Sequence, residues 1–317
     1  MSGLNLLFLA TAPFGLVSLQ RLCEHEFYPS AVITRPSRPS GRGNRVLSPP
    51  IKSRAQELGL HVLQPSGKKQ LFEILEQFQP HLLVNVAYGM ILPPYILEYP
   101  ELGCVNVHPS LLPAYRGAAP IRRAVIAGER VTGVTVMYMA EEMDAGDIII
   151  QEEALIGEEE TYGSLHDRLS QVGAELLVKA LKMVADGSAP RIPQNAEKAT
   201  YAPPLSPEDE LISWARPAVE IFNQVRGLVP SPGAYTWFRE KRLKIGRVMP
   251  NEKHKVPLPS AEDFFPGTVC GIEKDRFWVA AGKDFIQVLE LQPEGKKRMH
   301  AGDFLRGYSL QVGETLG

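Results

Sequence analysis

The sequence predicts an α/β fold: a Rossmann-like, mostly parallel sheet with helices on both faces, followed by a small OB-like β-barrel domain. Three observations carry this expectation. Apolar strand runs alternate with helical patterns through the first part of the chain. A proline-dense stretch then interrupts that pattern. Short strand runs separated by turn residues fill most of what remains.

Residues 4–10 (Leu-Asn-Leu-Leu-Phe-Leu-Ala) are apolar enough for a strand buried on both faces. Helical spacing of Leu16, Leu19 and Leu22 follows over 14–23, and 31–34 reads as a second strand. A short helix is expected at 51–58 and a third strand at 60–63. An amphipathic helix at 69–78 puts Leu71, Ile74, Leu75 and Phe78 on one face. Strands are expected at 81–86, 104–108, 134–139 and 148–152, and a long helix at 164–185 stops at Asp186-Gly187. Repeated β-α units build a parallel sheet whose ligands gather at the carboxyl ends of strands, so 1–189 is expected to be the first domain. Pro190, Pro193, Pro203 and Pro204 block regular structure and mark 190–206 as a semi-rigid linker. Beyond it, one helix is expected over 211–225, packing through Trp214, Phe222 and Val225. Strands are then expected at 234–238, 242–248, 267–272, 277–280 and 285–292, making 207–317 the barrel domain.

Composition narrows the function. At 317 residues, 44% hydrophobic and 22% charged, the chain is neither disordered nor fibrous and can bury a large core. No apolar run approaches the roughly 18 residues of a membrane span. A formal net charge of −2 offers no global pull on nucleic acid, so any such attraction needs a local patch. Cys23, Cys104 and Cys270 are scattered and form no CxxC pair, which points to neither a disulfide framework nor a zinc site. Reduced thiols and the absence of a leader-like start fit a cytoplasmic protein.

The densest chemistry lies at 106–120 (Asn-Val-His-Pro-Ser-Leu-Leu-Pro-Ala-Tyr-Arg-Gly-Ala-Ala-Pro). In a strand, Asn106 and His108 share a face because side chains alternate. Pro109 stops the ladder, leaving His108 at the strand's carboxyl end. Asp144-Ala145-Gly146-Asp147 forms a turn before another strand. Taken singly, a strand-end histidine is readily structural, and Asp-Ala-Gly-Asp is readily a plain turn. Taken together, Asn106, His108 and Asp144 form a workable set for acyl transfer by direct amine attack. Asn106 and a protonated His108 would stabilise the oxyanion, and Asp144 would support the imidazolium and help remove the amine proton. Between residues 31 and 56 lie Arg35, Arg38, Arg42, Arg45, Lys52 and Arg54 with no acidic residue, while Pro36, Pro39, Pro49 and Pro50 keep this stretch irregular. Such a loop suits RNA phosphates. A second cluster spans Arg239, Lys241, Arg242, Lys244, Arg247, Lys253 and Lys255, and Lys296, Lys297 and Arg298 follow.

These segments resemble the formyltransferases that use 10-formyltetrahydrofolate, and within them the tRNA-directed branch. The likeness extends to 86–93, 38–43, Tyr201-Ala202-Pro203, 232–236 and 291–297, and so covers nearly the whole chain. It implies transfer of a formyl group from 10-formyltetrahydrofolate, a folate cosubstrate, to the amine of methionyl initiator tRNA, by a monomer that needs neither metal nor membrane. It assigns the catalytic roles to Asn106, His108 and Asp144. It assigns folate contacts to Ser110, Leu111, Leu112 and Pro113, with Gly89, Met90, Ile91 and Leu92 lining a pterin pocket mainly through backbone groups. It assigns tRNA contacts to Arg38, Arg42 and Arg45. Three places depart from the family pattern: Ala10-Thr11-Ala12-Pro13-Phe14 replaces a Gly-Thr-Pro turn, Pro204 stands where a lysine is common, and Pro230-Ser231-Pro232 replaces Pro-Trp-Pro. The rival implications are a sugar-nucleotide amine as acceptor and a non-catalytic RNA-binding protein on the same scaffold. The Gly-rich phosphate loop of glycinamide ribonucleotide formyltransferases has no counterpart at 10–14.

Overall fold

A computed structural model describes residues 4–40, 45–250, 263–282 and 284–317, with backbone only at 38–40 and 45–47. The chain divides into two compact units. Unit one comprises Met1–Pro120, Val131–Leu155 and His166–Ala202, and unit two comprises Ile121–Arg130, Ile156–Leu165 and Pro203–Gly317.

The elements run β1 (Leu6–Ala10), α1 (Gly15–Glu24), β2 (Ala31–Ile33), β3 (Arg38–Ser40), β4 (Arg45–Leu47), α2 (Pro50–Glu57), β5 (Val62–Leu63), α3 (Lys68–Phe78), β6 (Leu82–Val86), α4 (Pro94–Leu97) and β7 (Cys104–His108). Then come α5 (Pro120–Ala127), β8 (Val131–Tyr138), β9 (Ile148–Leu155) and α6 (Tyr162–Ala185). The main sheet of unit one has the order β5-β2-β1-β6-β7-β8-β9. Five strands are parallel, as the repeated β-α units dictate, and β8 and β9 close the edge antiparallel. The chain turns from β1 to β2 on one side and returns to β6 on the other, which places a topological switch at the β1/β6 carboxyl ends.

Strand alternation sorts the core. Leu7, Leu83 and Cys104 are register partners and bury against Leu71 and Leu75 of α3 and Ile96 of α4. Gly173 of α6 approaches Val107 and Val134 on the opposite face so closely that a Cβ would lie 3.1 Å from Val107 Cγ1. Helices therefore cover both faces. Beside the sheet, β3 and β4 pair antiparallel, with Pro39 opposite Val46. The basic stretch is thus partly regular rather than irregular. A two-strand ribbon is all edge, where proline's missing N–H costs little.

Unit two contains α7 (Pro207–Glu210), α8 (Ala218–Leu228), β10 (Ala234–Phe238), β11 (Lys241–Pro250), β12 (Val269–Ile272), β13 (Phe277–Ala280), β14 (Phe285–Pro293), β15 (Met299–His300) and α9 (Ala301–Tyr308). Its antiparallel sheet runs β10-β11-β14-β13-β12, with β15 on β14. Ile221 and Val225 of α8, Ile245, Phe277, Val288 and Phe304 form its core. The helix expected over 211–225 starts only at Ala218, and 211–217 is not helical. Pro217 caps α8, and Leu211 and Ile212 are drawn into pairing with Tyr235. Proline has no N–H to continue a helix and disfavours helical backbone before it. Trp214 is buried as expected, its indole N–H donating to Thr236 Oγ1 at 3.0 Å. No described helix is long and apolar enough to cross a membrane.

One close approach in unit one is testable. A Cβ on Gly133 of β8 would lie 2.2 Å from Glu152 O and 2.5 Å from Leu111 Cδ2. Gly133→Ala is expected to destabilise the protein by about 1–3 kcal/mol, the usual scale of overpacking. A lowered urea midpoint at unchanged slope checks it, and a wild-type midpoint would refute the contact.

Candidate functional site

The site grows from the carboxyl end of β7. Asn106 and His108 lie two residues apart on one face, as their spacing requires, and His108 is 4% exposed. Its Nε2 is 2.9 Å from the Tyr115 carbonyl. A carbonyl only accepts, so this nitrogen carries a proton. Its Nδ1 faces Asp144 Oδ2 at 3.5 Å. That same carboxylate oxygen accepts the Gly117 N–H at 2.8 Å. The His108–Asp144 convergence expected from sequence is therefore present. Asn106 pairs in register with Asn85, whose Oδ1 accepts the Tyr88 N–H at 3.3 Å. Among the described residues, the Asn106 carboxamide has no hydrogen-bond partner of its own, which leaves it available to a ligand.

The loop carrying Tyr115 and Gly117 is held by a segment distant in sequence. Arg116 N donates to Thr200 O at 2.8 Å, Ala202 N to Arg116 O at 2.7 Å, and Ala119 N to Ala202 O at 3.1 Å. Tyr115 N reaches Thr200 Oγ1 at 2.8 Å. Tyr201-Ala202, which stands out in the sequence, thus acts as a backbone splint. Gly117 must be glycine, because a Cβ there would lie 2.8 Å from Ala202 O and its φ is +119°.

Sequence reasoning gave no role to the polar residues behind this loop. Arg116, buried to 3%, sends Nε and Nη2 to Gln194 Oε1 (3.2 and 2.9 Å) and Nη1 to Glu142 Oε1 (3.1 Å). Gln194 Nε2 donates to both Asp144 O and Gly146 O at 2.8 Å. Thr135 Oγ1 donates to Ser110 O at 2.7 Å and accepts from Leu112 N (3.1 Å) and Gln151 Nε2 (2.8 Å). Arg116 had a signal in its Arg-Gly-Ala-Ala-Pro setting. Gln194, Thr135 and Gln151 are isolated polar residues with no local pattern.

The residues expected to touch folate divide. Ser110 is buried, its hydroxyl spent on Ala114 O at 2.6 Å, and Leu112 packs with Met137 and Ile148. Leu111 abuts Gly133, and the Pro113 carbonyl accepts the Thr200 N–H at 3.3 Å. After β6, Gly89 takes φ +73°, Leu92 enters the apolar core with Met90 packed against it, and Ile91 is 65% exposed. Both stretches follow the ends of neighbouring strands, β7 and β6. The altered turn after β1 is well tied: Thr11 N and Ala12 N donate to Ala87 O, and Thr11 Oγ1 to Tyr88 O at 2.9 Å. Burial pushes the Tyr88 phenol up to about 12, with the Arg35 charge pulling weakly the other way.

Of the expected RNA contacts, Arg42 lies outside the described residues, and Arg38 and Arg45 are described only as backbone, Arg38 opposite Leu47 and Arg45 opposite Ser40. In unit two, Lys253 and Lys255 also fall outside the described residues. Arg239, Arg242, Arg247 and Arg298 are paired with Glu314, Glu210, Glu159 and Glu290. A cavity of about 110 Å³ between Arg247, Arg298 and Arg226 is also lined by Glu159 and Glu290, which pair with Arg247 and Arg298.

The buried Thr135 hydroxyl is the joint of the Ser110–Leu112 segment. Thr135→Val keeps its shape and leaves Ser110 O and Leu112 N without this partner, at roughly 1–3 kcal/mol for each buried group left unpaired, while Gln151 Nε2 retains Leu112 O. The expected outcome is a fall in stability of at least about 2 kcal/mol. Denaturant titration checks it, and no change would show that the hydroxyl bears no load.

A family model described as formyl transferase matches residues 17–181, and one described as formyl transferase, C-terminal domain, matches 204–309. A protein of Moorella thermoacetica named methionyl-tRNA formyltransferase is 50% identical over 99% of each chain. One of the same name from Syntrophus aciditrophicus is 46% identical over the whole of both. Among solved structures, HypX from Aquifex aeolicus in complex with tetrahydrofolic acid is similar in fold (TM-score 0.65, 17% identity), covering 100% of this chain and 51% of its own. This chain therefore spans about half the length of that protein. An N-formyltransferase from Helicobacter canadensis, in complex with folinic acid and dTDP-3-aminofucose, has TM-score 0.65 at 18% identity, over 92% of this chain and 100% of its own.

Proposed function

Because this chain belongs to the formyl transferase family, we propose that it transfers the formyl group of 10-formyltetrahydrofolate to the free amino group of methionyl initiator tRNA. Kinship from end to end with proteins named for that reaction supports the choice of acceptor. The observation that carries the chemistry is the His108 ring, set between the Tyr115 carbonyl and the Asp144 carboxylate beside an uncommitted Asn106 carboxamide.

In this reading the neutral amine attacks the formyl carbon. A carbon–nitrogen bond forms and the carbonyl electrons move onto oxygen. The Asn106 amide donates to that oxyanion, the one polar group of the trio not already engaged. A His108 ring protonated on both nitrogens satisfies Tyr115 O and Asp144 at once and adds positive charge close to the developing negative charge. Asp144, held by the Gly117 N–H, accepts the amine's proton directly or through water. The bond from the formyl carbon to the folate N10 then breaks. N10 takes up a proton, tetrahydrofolate leaves, and the formylated aminoacyl-tRNA remains. Ser110 to Pro113 and Gly89 to Leu92 flank the donor's site. Because Leu92 and Leu112 are spent on the core, contact there falls to backbone groups and to Ile91. Arg38, Arg42 and Arg45 meet RNA phosphates.

The deciding experiment offers 10-formyltetrahydrofolate together with charged initiator tRNA, elongator tRNA and a sugar-nucleotide amine. Preferential formylation of the initiator tRNA is expected, and formylation of the sugar amine alone would overturn the reading. Asn106→Ala is expected to lower kcat by about 100- to 1,000-fold, the cost of one oxyanion donor. Asp144→Asn should lower kcat severely while the thermal midpoint stays near wild type, and a near-normal rate would remove Asp144 from the mechanism. Neutralising Arg38 and Arg42 together is expected to flatten the salt dependence of tRNA binding by about one to two units of log–log slope. An unchanged slope would reject the contact.

A further inference from the structure

Asp144 sits in backbone that few residues other than glycine adopt, at φ +54°. Left alone, a turn of this kind relaxes, and the carboxylate swings with it. Gly117 N–H restrains one carboxylate oxygen, but a single hydrogen bond does not fix the peptide that carries it. The peptide is fixed from behind. Gln194 Nε2 donates to the carbonyl of Asp144 and to that of Gly146, both at 2.8 Å, so one amide clamps both ends of the turn. Gly146 permits the tight packing, since a Cβ there would lie 1.9 Å from Tyr138 O. The other end of the Gln194 amide is equally occupied. Its Oε1 accepts two hydrogen bonds from Arg116, whose third contact is Glu142 Oε1, two residues before Asp144. Arg116 is 3% exposed, and its backbone lies between Tyr115, which orients His108, and Gly117, which binds Asp144.

We infer that Gln194 is a positioning residue for the proposed transfer. Through its two carbonyl contacts it holds the left-handed Asp144 turn so that the carboxylate faces His108 Nδ1, and through Arg116 it ties that turn to the loop that orients the other side of the ring. An amide suits this place because it accepts and donates at once. A carboxylate would still satisfy Arg116 but would repel the two carbonyls, and an apolar side chain would do neither. This inference rests on the reading of Asp144 as acting on His108, and the experiment separates the two.

The test measures kcat, both KM values and the thermal midpoint for Gln194→Met, Gln194→Ala, Gln194→Glu, Asp144→Asn and the double variant Gln194→Met with Asp144→Asn. Gln194→Met keeps the bulk, so it serves where Gln194→Ala folds poorly. The expected result is a fall in kcat of about 10- to 100-fold for Gln194→Met, the scale of a displacement near 1 Å at a reacting group. KM for donor and acceptor should change less than about threefold. Gln194→Glu should be as slow as Gln194→Met, although its carboxylate still accepts from Arg116. In the double variant, the Gln194 substitution should cost nothing beyond Asp144→Asn, because a residue acting through Asp144 has nothing left to position. Additive losses, or a normal kcat in a folded Gln194→Met enzyme beside a severely impaired Asp144→Asn, would overturn the inference and leave the catalytic reading standing. A normal rate for Asp144→Asn would overturn both.

Discussion

The His108 ring is oriented from two sides, and both sides depend on one short loop. The Tyr115 carbonyl takes the Nε2 proton, and two residues later the Gly117 N–H holds the carboxylate that faces Nδ1. The loop cannot keep this shape by itself, since Tyr115 has φ +60°, a strained value for a large side chain. Backbone pairing with Thr200, Tyr201 and Ala202 supplies the restraint, as one more short strand would. Each such bond contributes only about 1 kcal/mol net. Several bonds on one loop of a few residues nevertheless leave it a single arrangement.

Charge inside the site is handled with the same economy. Arg116 is a buried cation, and a buried cation needs acceptors in fixed positions to be tolerated. Its carboxylate partner Glu142 is 69% exposed and therefore screened, so that pair contributes little by itself. The neutral Gln194 takes two of its hydrogen bonds instead. The basic residues of unit two follow a different rule. Arg239, Arg242, Arg247 and Arg298 are each matched by a glutamate of the same unit, so the basic cluster written in the sequence is much less bare in the folded chain.

Three residues other than glycine with left-handed backbone stand around the candidate site: Ala87 after β6, Tyr115 in the loop, and Asp144 in the turn. Such positions cost of order 1–3 kcal/mol each and persist only where their surroundings over-determine them. Here the surroundings are visible. Ala87 O accepts from Thr11 and Ala12, Tyr115 N donates to Thr200, and Asp144 is clamped by Gln194. The turn after β1, which departs from the family pattern, is part of this restraint, and it shows how Thr11 serves without the missing glycine.

Much of this was legible in the chain itself. Apolar runs bounded by turns mark β1, β2, β6 and β7, and the period-two rule places Asn106 and His108 on one face at a strand end. Those features are local, because strand alternation and proline stops act within a few residues. Three things were decided only by the tertiary structure. The reversed direction of β8, which pairs antiparallel with both β7 and β9, was hidden, because a buried strand reads the same whichever way its neighbour runs. The break at 211–217 arose because Leu211 and Ile212 pair with Tyr235, a partner that helical spacing does not reveal. The clamp of Gln194 behind Asp144 joins residues 50 positions apart. No periodicity connects residues so distant in the chain, and the hydrogen bonds that bring them together exist only once the sheet and its loops have closed around them.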